Sequence, residues 1–410
     1  MPNELILSRR PVYMDHHATT PVDSRVLEVM LPYFNERFGN AASIDHEYGA
    51  AAGQTVEKAR CQIATCINAQ PDEIIFTSGA TEADNLAIIG AAEQYAARGK
   101  HVITCVTEHK AVLDTCHHLE QRGWAVTYLP VDRYGLVDPD DVRRAITPQT
   151  VLISIVAANN EIGTIAPVAE IGRVAREREI LFHTDATQAV GHILVDVEAL
   201  NVDLLSMSAH KLYGPQGVGV LYVRKRRPRV RVAPLIHGGG HERGMRSGTM
   251  NLPGIVGFGC AVELATREMP REAERLKRLR DLLWTKLQAE IEGVALNGHP
   301  TRRLPHNLSV PIPGVESRSL LVQLKHDVAL STGSACTTAK VEPSHVIMAL
   351  GYGEERAHCS VRFGLGRENS EDDVTFVVER VGGAVVKLRN LIQASSGSSS
   401  RHSGHWQQGS

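Results

Sequence analysis

The 410-residue sequence contains no C-x-x-C pair. Its seven cysteines, Cys61, Cys66, Cys105, Cys116, Cys260, Cys336 and Cys359, form an odd and scattered set. That spacing argues against a disulfide framework and a zinc site, and predicts reduced thiols that are mostly buried. No apolar run approaches the ~20 residues that span a bilayer. Met1 to Arg10 lacks the apolar core and cleavage site of a secretory signal. The expectation is a cytoplasmic protein with no membrane contact. A dominant charge is missing too: the formal net charge is -2, which gives no reason to expect a polyanionic partner. The basic stretch Arg224-Lys-Arg-Arg-Pro-Arg-Val-Arg231 reads as a solvated sheet edge rather than a direct nucleic-acid contact.

What is present is a globular composition, 43% hydrophobic and 22% charged, in a chain too long for one compact core. A large domain with a smaller companion is expected. From about residue 70 to 225, short β-branched runs alternate with helical stretches: Glu73-Ile-Ile-Phe76, His101-Val-Ile-Thr104, Val151-Leu-Ile-Ser-Ile-Val156, Ile180-Leu-Phe-His183 and Val218-Gly-Val-Leu-Tyr222. The alternation predicts an α/β fold with parallel strands covered by helices on both faces. Ligands of such sheets bind beyond the carboxyl ends of the strands. A charged amphipathic helix is expected from about residue 271, with Leu276, Leu279, Leu283, Leu287 and Ile291 on one stripe and Gly293 as its stop. A strand at Asn307 to Pro311 and helices near Glu316 to Lys325 and Glu371 to Leu391 come next. The Ser/Gly/His-rich tail from Ala394 lacks apolar periodicity and reads as disordered.

Three motifs fall directly after expected strands. Phe76-Thr-Ser-Gly-Ala-Thr-Glu82 runs into a small-residue turn and a helix, whose first N–H groups, with the Thr81 hydroxyl, suit a phosphate. A plain helix cap explains that turn equally well. Leu181-Phe-His-Thr-Asp-Ala186 ends a strand in Asp185, with Gln188 beyond; its carboxylate can keep a pyridinium nitrogen protonated or simply cap a helix. Ser206-Met-Ser-Ala-His-Lys-Leu-Tyr-Gly-Pro215 places Lys211 past an apolar strand, where a lysine needs a partner or a covalent role. Taken jointly, the three reproduce the layout of enzymes that carry pyridoxal 5′-phosphate (PLP) on an open α/β sheet. His109 supplies a ring to stack on such a cofactor, although a surface histidine is the plainer reading. Cys336 lies in Ser331-Thr-Gly-Ser-Ala-Cys-Thr-Thr338, small and polar surroundings that suit a reachable, ionisable thiol. Arg362, in a strand-like run, is either a surface charge or a fork for a carboxylate.

The chain resembles the IscS/NifS-type cysteine desulfurases of the PLP-dependent class V aminotransferase family. The resemblance rests on Tyr13-Met-Asp-His-His-Ala-Thr-Thr-Pro21, Phe38-Gly-Asn-Ala-Ala-Ser43, Ala158-Asn-Asn-Glu-Ile-Gly163, Ser208-Ala-His-Lys211, His237-Gly-Gly-Gly-His-Glu-Arg-Gly-Met-Arg-Ser-Gly-Thr249 and Gly333-Ser-Ala-Cys336. It implies a fold-type I, aspartate-aminotransferase-like architecture. Residues 18–265 would form the large domain, 1–17 with 266–393 the small domain, and 394–410 the tail. It further implies a homodimer that converts L-cysteine to L-alanine, with the sulfur left as a persulfide on Cys336. Lys211 would be the Schiff-base lysine, Asp185 the pyridine-nitrogen partner, and His109 the stacking ring and acid/base. Gln188 and Asn160 would face the ring hydroxyl. Ala80, Thr81, Ser208 and His210 would bind the phosphate, joined by Thr249 from the other subunit. Arg362, Asn160 and Asn40 would hold the substrate carboxylate.

The sulfur would pass to an acceptor protein for iron–sulfur clusters, thiolated tRNA or DNA phosphorothioation. The sequence departs from the usual pattern in His16-His17, which replaces a Tyr-Ser or Asn-Asn pair, and in Cys359, where serine is usual; neither is expected to touch the chemistry. A selenocysteine lyase remains an alternative. A non-catalytic sulfur carrier would be marked by loss of Lys211, Asp185 or Cys336, and all three are present.

Overall fold

The computed structural model describes residues 11–226, 229–332 and 342–399. Cys336 and the chain from residue 400 onward therefore lie outside the described residues.

A short strand, β1 (Val12–Tyr13), precedes the central sheet. That sheet contains β2 (Ile74–Thr77), β3 (His101–Cys105), β4 (Ala125–Leu129), β5 (Thr150–Ser154), β6 (Leu181–Asp185), β7 (Leu204–Ser208) and β8 (Gly219–Val223). Their order is β2-β8-β7-β6-β5-β3-β4. The strands from β3 to β7 pair in parallel, whereas β8 runs antiparallel to both neighbours. The expectation that Val218 to Tyr222 is parallel is thus corrected. The reason is the connection: a short turn after Lys211 returns the chain directly, and a parallel return needs a crossover of a dozen residues or more.

β5, β6 and β7 are buried along their whole length, which explains why they read as unbroken apolar runs instead of alternating ones. Phe182, fully buried on β6, contributes about 2–3 kcal/mol of hydrophobic stabilisation. The half-exposed edge strand β4 has no such run and escaped the sequence reading.

The amphipathic helix expected from residue 271 is one helix, Leu252–Glu290, with Pro270 inside it. Proline is favoured at a helix start, so Pro270 imitates one in the sequence. Instead the helix links two apolar clusters. Ile255, Phe258 and Val262 pack into the core of the central sheet. Leu276, Leu279, Leu283 and Leu287 pack with Met14, Val361, Phe363 and Val377 in a second core.

That second core carries β9 (Asn307–Pro311), β10 (Val328–Ala329) and β11 (Ser360–Gly364); β11 pairs antiparallel with β9, and β1 pairs parallel with β10. The last helix runs Glu371–Ser399, beyond the tail boundary expected at Ala394. Val374, Val377, Val381 and Val385 anchor it in the second core. Each further residue then adds a hydrogen bond without a new nucleation cost.

Candidate active site

Three strand ends converge on one cavity of about 460 Å³. Of the residues singled out in the sequence, Ala80, Thr81, His109, Asn160, Asp185, Gln188, Ser208, His210 and Lys211 line it. The parallel sheet accounts for this convergence, because β6 and β7 deliver Asp185 and Ser208 at the same edge.

The wall after β2 is the start of the helix Ala80–Tyr95. Its N-cap is Gly79, which offers no side-chain cap. A Cβ added at Gly79 would meet nothing within 4 Å. The first N–H groups of this 16-residue helix therefore remain available at the cavity wall, and the helix dipole favours an anion there. Ser208 and His210 complete that side. Burial and the nearby Lys211 charge lower the His210 pKa to about 4, so its ring is neutral and acts as a polar partner.

Lys211 lies in the turn Ala209–Lys211 just after β7. Its Nζ donates to the carbonyls of His17 and Ala18, both at 2.6 Å. Burial, reinforced by Arg362, lowers its pKa to about 8, while Asp15 and Asp185 act in the opposite direction. About a tenth of the amine is therefore neutral at pH 7, far more than for an ordinary lysine, and the neutral amine is the nucleophile toward an aldehyde.

Asp185 accepts the Thr187 N–H at 2.9 Å. Behind it, Asp84 and Glu108 are buried completely. Desolvation, with the Asp185 charge adding to it, holds both carboxyls well above their usual range, which favours their protonated forms. Among the described residues neither oxygen of Asp84 has a hydrogen-bond partner, although His183 Nε2 lies 3.6 Å from its Oδ1. This acidic floor beneath the strand ends was not recognised in the sequence, where Asp84 reads as an ordinary helix residue.

His109 caps the helix Lys110–Gln121, its Nδ1 accepting the Ala111 N–H at 3.1 Å. The proton of the neutral ring is thereby placed on Nε2. Burial lowers the His109 pKa, with Lys211 and His345 acting in the same direction. Burial thus favours the neutral ring, and the acid/base role expected of His109 needs its Nδ1 to be free. The ring can take up a proton only by giving up its cap.

Arg362, on β11, lies beside the cavity rather than in its wall. Its Nη1 donates to the Asn160 carbonyl at 3.0 Å and its Nη2 to Asp15 at 2.7 Å, while its buried Nε has no partner among the described residues. Asn40 is exposed outside the wall, its Oδ1 accepting the Ala42 N–H. Thr249 is exposed there as well. Within one chain, neither is brought to the cavity. Cys336 lies outside the described residues, but the chain on both sides of it is anchored at this site. Ser331 bridges Arg362, Ser344 donates to Glu161, and His345 bonds the Glu108 carbonyl at 3.0 Å.

The other cysteines divide by exposure. Cys105 and Cys116 are buried, with thiols pushed up to about 12. Cys66, Cys260 and Cys359 are also raised, chiefly by burial. Cys61 departs from the expectation of mostly buried thiols: it is exposed on the helix Glu47–Cys66. A further correction concerns His17. Expected to stand clear of the chemistry, it touches both Lys211 and Gln188.

The donor set fits PLP. An uncapped helix start suits a phosphate, a carboxylate at a strand end suits a pyridinium, and a lysine of lowered pKa suits an aldehyde. Fold and site together define a fold-type I PLP-dependent enzyme. The family model for class-V aminotransferases matches residues 12–377, and the chain belongs to that family.

It is 54% identical to cysteine desulfurase IscS of Anaeromyxobacter dehalogenans (strain 2CP-C), over 93% of this chain and 94% of that one. Among solved structures, it resembles a NifS-like protein with a TM-score of 0.86 and 38% identity, covering 92% of this chain and all of that one. It also resembles a structure described as SspA in complex with cysteine, with a TM-score of 0.77 and 39% identity, over 86% of this chain and 98% of that one.

Proposed function

We infer that this chain is a PLP-dependent cysteine desulfurase that converts L-cysteine to L-alanine and leaves the sulfur as a persulfide on Cys336. The observation that carries the reading is Lys211, depressed to a pKa of about 8 in a cavity it shares with Asp185 and the uncapped helix start.

When bound, the cofactor supplies an electron-withdrawing ring that weakens the bonds at the substrate's α-carbon. Lys211 would hold the cofactor's aldehyde and, as a free amine, would carry a proton at Nζ. Asp185 would hold the proton of the ring nitrogen. His109 would lie against a ring face and would serve as acid/base only after releasing Ala111. Gln188 and Asn160 would meet the ring hydroxyl. Ala80, Thr81, Ser208 and His210 would hold the phosphate, with Thr249 joining from a second subunit of a homodimer.

Arg362 takes the substrate carboxylate, assisted by Asn160 and Asn40. For this it exchanges the Asp15 contact or uses its unpartnered Nε. The Cys336 thiolate attacks the substrate sulfur, so that an S–S bond forms while the C–S bond breaks and its electron pair stays with the carbon. Placement of Cys336 here is supported by the anchoring of Ser331, Ser344 and His345 at this site.

We assign residues 18–265 to a large cofactor domain and 1–17 with 266–393 to a small domain. The working assembly is a cytoplasmic homodimer that passes sulfur to an acceptor protein for iron–sulfur assembly, tRNA thiolation or DNA phosphorothioation. No helix among the described residues is long and apolar enough to cross a membrane. The identity to IscS favours the desulfurase over a selenocysteine lyase or a sulfur carrier.

The test is to incubate purified protein with L-cysteine, quantify alanine, and locate the added sulfur by mass spectrometry. Equimolar alanine with sulfur on the Cys336 peptide is expected. Alanine with no protein-bound sulfur would remove the persulfide step.

A further inference from the structure

His17 holds Gln188 at both ends of its amide. Gln188 Nε2 donates to the His17 carbonyl at 3.0 Å, and Gln188 Oε1 lies 2.8 Å from His17 Nδ1. A carbonyl only accepts, so the amide end facing it must be the NH2. The opposite end is then the oxygen, and the imidazole nitrogen facing it must carry the proton. The same His17 carbonyl also accepts from Lys211 Nζ.

The bare His17 Nε2 is buried without a partner among the described residues. The ring stacks on His306, with centroids 4.4 Å apart, and His306 stacks on His192 at 4.0 Å. His192 Nε2 lies 2.9 Å from the Lys211 carbonyl. A column of three imidazoles therefore joins the Gln188 side chain to the Lys211 backbone. Burial holds His17, His306 and His192 below their ordinary pKa, and Arg362 and Lys211 push His17 further in that direction. The column is neutral, and the tautomer of His17 is set by its hydrogen bonds.

We propose that His17 is a positioning residue: by clasping Gln188 it fixes which edge of that amide faces the cavity, leaving one N–H as the donor to the cofactor's ring oxygen. This rests on the reading of the cavity as a PLP site. A fixed N–H donor stabilises the anionic form of that oxygen and lowers its pKa. A freely rotating amide would offer its own oxygen part of the time and forfeit the effect.

The test compares holoenzymes of wild type, His17→Ala, His17→Asn, Gln188→Ala and the His17→Ala/Gln188→Ala pair by pH titration of the cofactor's near-visible absorption. His17→Ala and Gln188→Ala should each raise the apparent pKa by about one pH unit, the size expected for losing one hydrogen bond to a charged group. The double variant should add nothing. His17→Asn should restore the wild-type titration, since its amide nitrogen is as many bonds from Cα as Nδ1 is.

A His17→Ala enzyme that titrates like wild type overturns the proposal, as does a His17→Ala shift that persists undiminished without Gln188. An independent arm needs no cofactor: 15N NMR of the imidazoles at neutral pH should show His17 protonated on Nδ1 and bare on Nε2. The opposite tautomer, or a charged ring, overturns it. A wild-type protein that takes up no cofactor while showing that tautomer would instead sink the PLP reading.

Discussion

Arg60 and Glu242 form a two-pronged ion pair inside the core, with Nη1 to Oε2 and Nη2 to Oε1 both at 2.8 Å. Arg60 lies on the helix Glu47–Cys66, and Glu242 in the glycine-rich loop that leads to Thr249. Glu242 also accepts the Phe76 N–H at 2.7 Å, and Arg60 donates to the Ile74 carbonyl. The pair therefore fastens the loop to β2, the strand that leads into the phosphate turn. Both side chains are 4% exposed, and removing Glu242 leaves the buried Arg60 with Glu57 alone, a carboxylate that is itself 58% exposed. Glu242→Ala should cost about 2–3 kcal/mol in urea unfolding, the scale of lost hydrogen bonds to a charged group, while the paired replacement Arg60→Met/Glu242→Leu should recover part of that loss. A Glu242→Ala cost below about 1 kcal/mol would show that the loop is held by other contacts.

The lowered pKa of Lys211 sets a pH dependence for cofactor capture. Only the neutral amine attacks an aldehyde. An amine with a pKa of about 8 is mostly charged below that pH and mostly neutral above it. The rate of PLP uptake by cofactor-free enzyme should rise as the pH increases through about 8 and then level off. A rise still continuing toward the ordinary lysine range would mean that burial does not act on Lys211 as described. Lys211→Ala should show no chromophore at any pH.

Gly366 lies against the His16 ring, with three ring atoms within 2.5 Å of where a Cβ would stand. His16 is 4% exposed, and burial lowers its pKa to about 4. Gly366→Ala should destabilise the protein by about 1–3 kcal/mol, the usual cost of overpacking. The penalty should shrink in a His16→Ala background, because the clash partner is gone. Equal penalties in the two backgrounds, measured by thermal unfolding, would place the strain elsewhere.

The site was legible in the sequence wherever its residues stand directly after a strand. The runs before Thr81, Asp185 and Lys211 are apolar and short, so the reactive residue stands out at each end. The direction of β8 was not legible, since an apolar run carries no sign of its partner's orientation. Pro270 concealed the true start of the long helix because the same residue favours first turns and tolerates some interior positions. The clasp of His17 on Gln188 was hidden for another reason. It joins residues 171 positions apart, and nothing local marks a histidine whose own carbonyl is the functional group. The only trace was an unusual His-His pair.

The central claim is best tested by assaying L-cysteine turnover in wild type and Cys336→Ser side by side, with the near-visible absorption recorded for each. The account predicts that Cys336→Ser keeps the chromophore, because Lys211 and its cavity are untouched, yet loses sulfur release. Sulfide released by Cys336→Ser as fast as by wild type would contradict it, and a lyase acting directly on the substrate would take its place.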